Sequence, residues 1–331
     1  MQAVPQVDWL GKRVLVTGAT GFIGSNLSPA LQQAGAEVHG VSLRQHALKP
    51  EGLHSLHQVD LRESENCEAL INQVKPDIIV HLSSVVVGTR DLAAVGDTLL
   101  SNLCSSVYLM LAAERAGTQR MLIAGSLEEP AAQDQPNSPY AASKAAARLY
   151  SDLFNCLYDL QVLQIRIGMV YGPRQWDSRK LVPYLIRSLL GNSSPSVTSG
   201  VRQADWIHVD DVVQGILRLG VMEKMPTHGV SLGTGRLSSV RQVVEHLLEI
   251  NGGAVEAQFG GLPDRQNEAA SAADVELLER YLQWRPQIEL RDGLAQTYDW
   301  FSTNGMAHSH TGKLYSDHGY SITGSGTNVS S

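Results

Sequence analysis

Cysteine is scarce in this chain: Cys67, Cys104 and Cys156 are so widely spaced that no Cys-x-x-Cys pair forms. That excludes a disulfide framework and a thiolate metal site, and it fits free thiols in a reducing compartment. No run of eighteen apolar residues is evident, and Met1 to Leu10 lacks the form of a signal peptide. A soluble, cytoplasmic protein with no membrane partner is therefore expected. Basic clusters are also missing, and with a formal net charge of −7 the chain is not a general nucleic-acid binder. What remains is an ordinary globular composition, 43% hydrophobic and 18% charged over 331 residues. That is enough for a large core and one or two domains.

As far as Gly172, short apolar runs alternate with helical stretches. Strands are expected at 13–17, 37–43, 55–59, 77–82, 120–125 and 161–167. This rhythm signifies βαβ units and a parallel sheet, an α/β class of fold. It breaks after Gly172-Pro173. Beyond that point Leu181 to Leu190 reads as an apolar helix, Gly191 to Gly200 as loop, and Val240 to Ile250 as an amphipathic helix. The expected division is a dinucleotide-binding domain over 1–172, with 205–233 returning to its sheet. A substrate domain is built from 173–204 and 234–304. Residues 305–331, rich in Gly, Ser, Thr and His, read as a mobile tail. His308, His310 and His318 within it have no fixed geometry for a metal, and no metal site is expected.

The segment Thr17-Gly18-Ala19-Thr20-Gly21-Phe22-Ile23-Gly24 falls between a buried strand and a helix. Gly18 allows the tight turn, Gly21 lets backbone approach phosphates, and Gly24 lets the helix pack closely on the strand. The helix N-terminus, opened by Phe22 and Ile23, offers free N–H groups to a pyrophosphate. An acidic residue at the end of the next strand would bind the adenosine ribose, but none stands there. Ser42 and Arg44 do, and a guanidinium suits a phosphate, so NADP(H) is favoured over NAD(H). Asp60 and Leu61, after the third strand, are placed to touch the adenine.

Far downstream lies Tyr140-Ala141-Ala142-Ser143-Lys144. Residues i and i+4 share a helix face, so the phenol and the ammonium can reach one site. A free tyrosine, with a pKa of about 10, is a poor base near neutrality. A neighbouring ammonium favours the phenolate. Leu122 to Ser126 reads as a buried strand ending in a hydroxyl that can orient a substrate oxygen at the carboxyl edge of the sheet.

With these motifs, the chain resembles the extended short-chain dehydrogenases/reductases, the family of nucleotide-sugar epimerases, dehydratases and reductases. The resemblance runs from about residue 10 to 302. It also takes in Tyr171-Gly172-Pro173, the segment Asp205 to Asp211, and Leu262 to Arg265. It implies a doubly wound Rossmann sheet of about seven strands with a smaller C-terminal substrate domain. It implies Ser126, Tyr140 and Lys144 as the catalytic group and Asn102 as a supporting asparagine. Leu82, Ser83 and Ser84 would form the loop beside the nicotinamide ribose, and Gly168 would meet the carboxamide. It further implies a homodimer through helices near Ser105 to Ala116 and Ala141 to Leu157.

Dehydratases of this family resemble Thr-Asp-Glu or Thr-Ser-Glu where this chain has Ser126-Leu127-Glu128, with the glutamate as base. Leu127 cannot donate a proton, which disfavours the dTDP-glucose type and leaves the GDP-mannose type open. The run Gly125 to Glu129 also resembles the GSxEE signature of NADPH-dependent reductases of 4-keto-6-deoxy sugar nucleotides. Reduction therefore leads, with epimerisation second and dehydration third. Arg265 matches a nucleotide-diphosphate contact. Met169 and Ala204 depart from an asparagine and an arginine that often serve the same ligand, and Arg202 and Lys180 are the candidates to compensate. A small ketone without a nucleotide is the competing substrate class. A non-catalytic nicotinamide sensor is the alternative of a different kind, and relatives of that sort typically lose the Tyr or the Lys present here.

Overall fold

The computed structural model describes residues 9–43, 49–131, 134–264 and 270–309, with side chains through Asn304. Arg44, Arg265, His310 and His318 lie outside the described residues. The chain opens with β1 (Arg13–Thr17), α1 (Phe22–Gln33), β2 (Glu37–Ser42), β3 (Ser55–Gln58), α2 (Ser64–Val74) and β4 (Ile78–His81). Then follow α3 (Ala93–Thr98), a π-helical turn (Leu99–Cys104), α4 (Ser105–Ala116), β5 (Arg120–Ser126), α5 (Pro139–Leu157) and β6 (Gln161–Ile167). With β10 (Val230–Leu232) these strands make a seven-stranded sheet in the order β10-β6-β5-β4-β1-β2-β3, parallel throughout. The order reverses between β1 and β4, and open parallel sheets bind ligands at such a switch point, beyond the carboxyl ends of the strands.

Alternation along the strands feeds two cores. Val14 and Val16 of β1, Ile78 and Val80 of β4, and Leu122 of β5 face one cluster. It is completed by Leu27 and Leu31 of α1 and by Val212, Ile216 and Leu219 of α7 (Val209–Gly220). Leu15, Ile79, Met121 and Ile123 face the other cluster, with Leu70 and Ile71 of α2, Leu109 and Met110 of α4, and Phe154 of α5. Each such buried aliphatic side chain stabilises by roughly 1.5–3 kcal/mol relative to exposure.

Residues 93–116 form one continuous helical run, long and apolar enough by length and composition to cross a bilayer. Its scattered polar residues concealed that from the sequence reading. Asn102, Ser105 and Ser106 are buried within it, and one side of it packs on α2 and α5, while Val95, Leu99, Leu100 and Leu111 are exposed.

The remaining elements are β7 (Met169–Tyr171), α6 (Leu181–Leu190), β8 (Ser196–Val197), β9 (Gln203–His208), β11 (Leu237–Ser239), α8 (Val240–Ile250), β12 (Gln258–Phe259), α9 (Val275–Leu282) and α10 (Leu290–Ser309). Strands β11, β9 and β7 form a small sheet of their own. Of the stretch 205–233, therefore, α7 and β10 return to the large sheet while β9 does not. A third cluster holds this half together, including Leu185, Ile186, Trp206, Val243, Val244, Leu247 and Phe301. The final helix runs to Ser309, past the point where the sequence reading places the start of a tail. It takes in His308, although that residue's side chain, like the rest of the tail, lies outside the description.

Hydrogen bonds to two aspartates join segments far apart in the chain. Asp205 accepts from the N–H groups of Thr234, Gly235 and Ala273 at 2.7–2.9 Å. Asp211 accepts from Gln287 and Ile288 at 3.0 and 2.9 Å. The Asp205 to Asp211 motif is therefore a fastener between segments far apart in the chain.

His81 sits inside a directional chain of bonds. The Ser83 N–H donates to Thr17 Oγ1 (3.1 Å), and that hydroxyl donates to His81 Nδ1 (2.7 Å). His81 Nε2–H then donates to Ser106 Oγ (3.1 Å), whose hydroxyl donates to the Asn102 carbonyl (2.6 Å). This relay needs a neutral imidazole, and burial pushes its pKa down from 6.5 to about 3. Between those values the unfolded chain binds a proton that the folded chain refuses, so stability falls as pH drops from about 6.5 toward 3. The slope is roughly 1.4 kcal/mol per pH unit for this one proton. Thermal unfolding at pH 7.5, 6 and 5 should show that dependence, and His81→Gln should flatten it by about one proton. Equal slopes would contradict the assignment.

Candidate active site

Every glycine of the first motif has a visible steric reason. Gly18 has φ +66°, and a Cβ there would come within 3.0 Å of Ser83 N and 3.2 Å of the Leu82 carbonyl carbon. A Cβ on Gly24 would stand 2.3 Å from Gly18 O and 2.7 Å from Ala19 Cα. Gly21 caps α1 without any side-chain hydrogen bond, and the first turn holds no acidic residue. Phe22, Ile23 and Gly24 thus begin a helix whose end is left for an anion. Thr20 Oγ1 lies 3.1 Å from Ser42 Oγ, closing the loop against the end of β2.

Beside that contact a recess is lined by Ser42, Leu43, Asp60, Leu61, Arg62 and Ser83. Asp60 receives a forked bond from Arg62, whose Nε and Nη2 lie 2.9 and 2.6 Å from Oδ1 and Oδ2. That guanidinium holds the carboxyl below its usual range. Sequence reasoning passed over Arg62, whose place in the recess follows only once β2 and β3 are paired. The glycine loop, the uncapped helix and this recess together fit a dinucleotide.

At the carboxyl end of β5 the second motif comes together. Ser138 accepts from Ala141 N at 3.1 Å and Pro139 follows it, so α5 starts with a proper cap and presents Tyr140 and Lys144 toward the sheet. Both are buried. Ser126 is a hydrogen-bonding neighbour of the Tyr140 phenol, and Lys144 Nζ lies 5.8 Å from the phenol ring centre. Lys144 Nζ donates to Ala124 O at 2.7 Å, and burial lowers its pKa to about 8, against an opposing pull from Glu129.

The neighbouring ammonium does not bring the phenol's pKa down, contrary to the expectation from sequence. Burial, followed by the charge of Glu128, pushes Tyr140 well above its ordinary value, and the Ser126 bond opposes only in part. In the protein alone, Tyr140 is a protonated phenol.

Asn102 is no surface amide. The π-helical turn rotates it inward, where it is 1% exposed. Its Nδ2 donates to Val85 O (3.1 Å) and Ser143 Oγ (3.0 Å). Its Oδ1 accepts from Val85 N (2.7 Å) and Ser84 Oγ (3.0 Å). It pins the loop from Leu82 through Ser84 to Val85 against α5, and π-helical turns recur at functional sites. Gly168 donates its N–H to Leu232 O, and a Cβ there would meet Asp205 O at 2.6 Å. Its packing alone therefore requires glycine.

Arg202 and Lys180, the expected substrate residues, each bond across to the other half of the molecule in the protein alone. Arg202 Nη2 lies 3.1 Å from Glu128 Oε1, a bond that joins the substrate half to the loop after β5. Lys180 Nζ reaches Val86 O at 3.5 Å, another contact between the halves. Glu129, the last residue of the Gly125 to Glu129 run, is buried.

A model of the NAD dependent epimerase/dehydratase family matches residues 14–230. A UDP-glucose 4-epimerase of Mycolicibacterium smegmatis is 30% identical over 87% of this chain and 98% of its own length. A dTDP-glucose 4,6-dehydratase of Streptomyces griseus is 31% identical over 87% of this chain and 93% of its own. Among solved structures, the UDP-glucose 4-epimerase of Thermus thermophilus in complex with NAD superposes with a TM-score of 0.77. It is 26% identical, and the match covers 88% of this chain and 99% of that one.

Proposed function

This chain belongs to the NAD dependent epimerase/dehydratase family, and from that membership we propose that it reduces a 4-keto-6-deoxy sugar carried on a nucleotide. It is an extended short-chain dehydrogenase/reductase enzyme, and its class of substrate is a nucleotide-linked sugar. The observation that carries the finer reading is the protonated Tyr140 phenol beside the Ser126 hydroxyl at the carboxyl edge of β5.

The dinucleotide, when bound, supplies hydride chemistry. The chain does the rest. The Gly18–Gly24 loop and the N-terminus of α1 would hold the pyrophosphate, while Asp60 and Leu61 would flank the adenine. Ser126 orients the substrate oxygen, Tyr140 gives that oxygen its proton, and Lys144 holds the nicotinamide ribose and compensates the negative charge left on the phenol. Elimination of the dTDP-glucose type is disfavoured because Leu127 has no proton to give, and the GDP-mannose type because its candidate base, Glu128, is engaged by Arg202.

For NADP(H) over NAD(H), the support is Ser42 in place of a carboxylate at the end of β2, with Arg44 two residues later in the sequence. Epimerisation is the second reading, favoured by the similarity to the Mycolicibacterium smegmatis 4-epimerase. Denaturing the purified protein and weighing what is released separates the two. A reductase is expected to release no stoichiometric dinucleotide and to prefer NADPH over NADH by about tenfold in KM, worth about 1.4 kcal/mol. Stoichiometric NAD(H) would overturn reduction in favour of epimerisation.

We also propose a cytoplasmic homodimer. Leu111 on α4 and Leu149, Leu153 and Leu157 on α5 are exposed apolar side chains, and a second copy of this face would cover them. Sedimentation is expected to give the mass of two chains, and the mass of one chain would contradict it.

A further inference from the structure

We propose that Glu129 is a positioning residue that anchors Ser126 and keeps Lys144 positively charged, and so sets the upper pH limit of the reaction. The inference rests on the roles proposed above for Ser126 and Lys144.

Glu129 follows Ser126 by three residues, and its side chain turns back beneath the end of β5, where only 1% of it is exposed. Oε1 accepts from Ser126 N at 2.8 Å and from Gln164 Nε2 at 2.9 Å. The same Gln164 amide donates to the main-chain oxygen of Lys144 at 3.0 Å. One carboxylate oxygen therefore ties the backbone of Ser126, strand β6 and the turn of α5 that bears Lys144. The neighbouring glycine makes room for it. A Cβ on Gly125 would stand 2.6 Å from Glu129 Oε1 and 2.8 Å from Gln164 Nε2.

A buried carboxylate is expensive unless charge and hydrogen bonds surround it. Burial here raises the Glu129 pKa, and the Ser126 N–H and the charges of Arg166, Lys144 and Arg148 oppose that rise. Arg148, on α5 one turn beyond Lys144, has its Nε 3.7 Å from Oε2, an oxygen with no hydrogen bond of its own. Arg166 stands on β6 and donates to Ser231 Oγ at 2.8 Å. Three titratable groups face Lys144, and one of them carries charge. Glu129 stabilises its ammonium, the Tyr140 phenol is neutral, and His81 on β4 is held neutral by burial. Among these groups Glu129 is the source of negative charge that favours protonated Lys144. The carboxylate does not touch the substrate space directly; it acts through the two residues that do.

The test uses the full chain. It holds seven lysines, few enough to follow each ammonium by NMR titration, with Lys144 assigned by its loss in Lys144→Arg. Glu129→Gln preserves shape and can still accept from Ser126 N, but it removes the charge. In that variant Lys144 is expected to titrate at least about one pH unit lower, a tenfold smaller ammonium fraction above its pKa. The alkaline limb of kcat should move down with it. Glu129→Asp, which restores charge, should return the limb toward its original position even where the rate falls. Gly125→Ala, which displaces the carboxylate, should resemble Glu129→Gln.

An unchanged Lys144 titration in Glu129→Gln overturns the proposal. If that variant fails to fold, a limb in Glu129→Asp that lies as low as in Gly125→Ala overturns it equally. The titration needs no substrate. An inactive wild type would strike the proposed reaction and still leave this inference decided by the lysine spectrum.

Discussion

Tyr140→Phe is expected to lower kcat by about 10²- to 10⁴-fold, the range over which positioned proton transfer acts, while the protein still folds and binds dinucleotide. The ring is buried, and Phe fills the same volume, so packing should change by less than about 1.5 kcal/mol. Ser126 keeps its own support, since its Oγ accepts from Glu128 N at 3.1 Å and its N–H remains on Glu129. What disappears is the phenol proton beside that hydroxyl. Because burial holds the phenol protonated, the loss should be uniform across neutral pH, with no rescue at higher pH. Fluorescence titration with NADPH alongside turnover checks both halves of the expectation. Turnover within about threefold of wild type would remove Tyr140 from the proposed role.

Gly24→Val is expected to damage cofactor binding and stability together. The nearest atoms to the added Cβ are backbone, Gly18 O at 2.3 Å and Ala19 Cα at 2.7 Å, and neither can swing aside as a side chain would. Overpacking of this kind costs typically 1–3 kcal/mol, occasionally more, so a melting temperature lower by roughly 1.5–4 °C is expected for a chain of 331 residues. The move that relieves the clash pushes α1 away from the loop that its free N–H groups serve. Dinucleotide affinity should therefore fall by at least about tenfold beyond what the loss of fold explains. Gly96→Ala is the control. Nothing lies within 4 Å of its added Cβ, and in α3 it should be neutral or stabilising by roughly 0.5–1 kcal/mol. Equal dinucleotide affinity in Gly24→Val and wild type would contradict the steric account.

The fold was legible because its signals are local. β1, β2, β4, β5 and β6 announce themselves as apolar runs, and their alternation fits a sheet covered on both faces, with Val14 and Val16 in one core and Leu15 in the other. Gly18, Gly21, Gly24, Tyr140 and Lys144 were readable for the same reason, since a turn and a four-residue helical spacing need no distant partner. The unreadable parts depend on neighbours far away in the chain. Asn102 turns inward only because the helix adopts a π-helical turn, and its partners are Val85 and Ser143. Glu129 resembled a loop acid until Gln164, 35 residues on, and Gly125 closed a pocket around it. Arg202 and Lys180 were expected, from the resemblance, to compensate at the diphosphate for Met169 and Ala204, and no local signal showed their bonds to Glu128 and Val86 in the other half of the molecule. The phenol's pKa was misjudged because spacing reveals the ammonium and conceals the burial that outweighs it.

A crystal structure of the full chain with NADP⁺ and a UDP-linked 6-deoxyhexose, the product class of the proposed reduction, each at saturating concentration, decides whether Tyr140 and Ser126 meet the sugar. The account predicts the sugar's C4 oxygen at hydrogen-bonding distance, about 2.6–3.2 Å, from both Tyr140 Oη and Ser126 Oγ, with Lys144 Nζ on the nicotinamide ribose. A dinucleotide seated on the Gly18–Gly24 loop with Tyr140 and Lys144 turned away from its nicotinamide would contradict it.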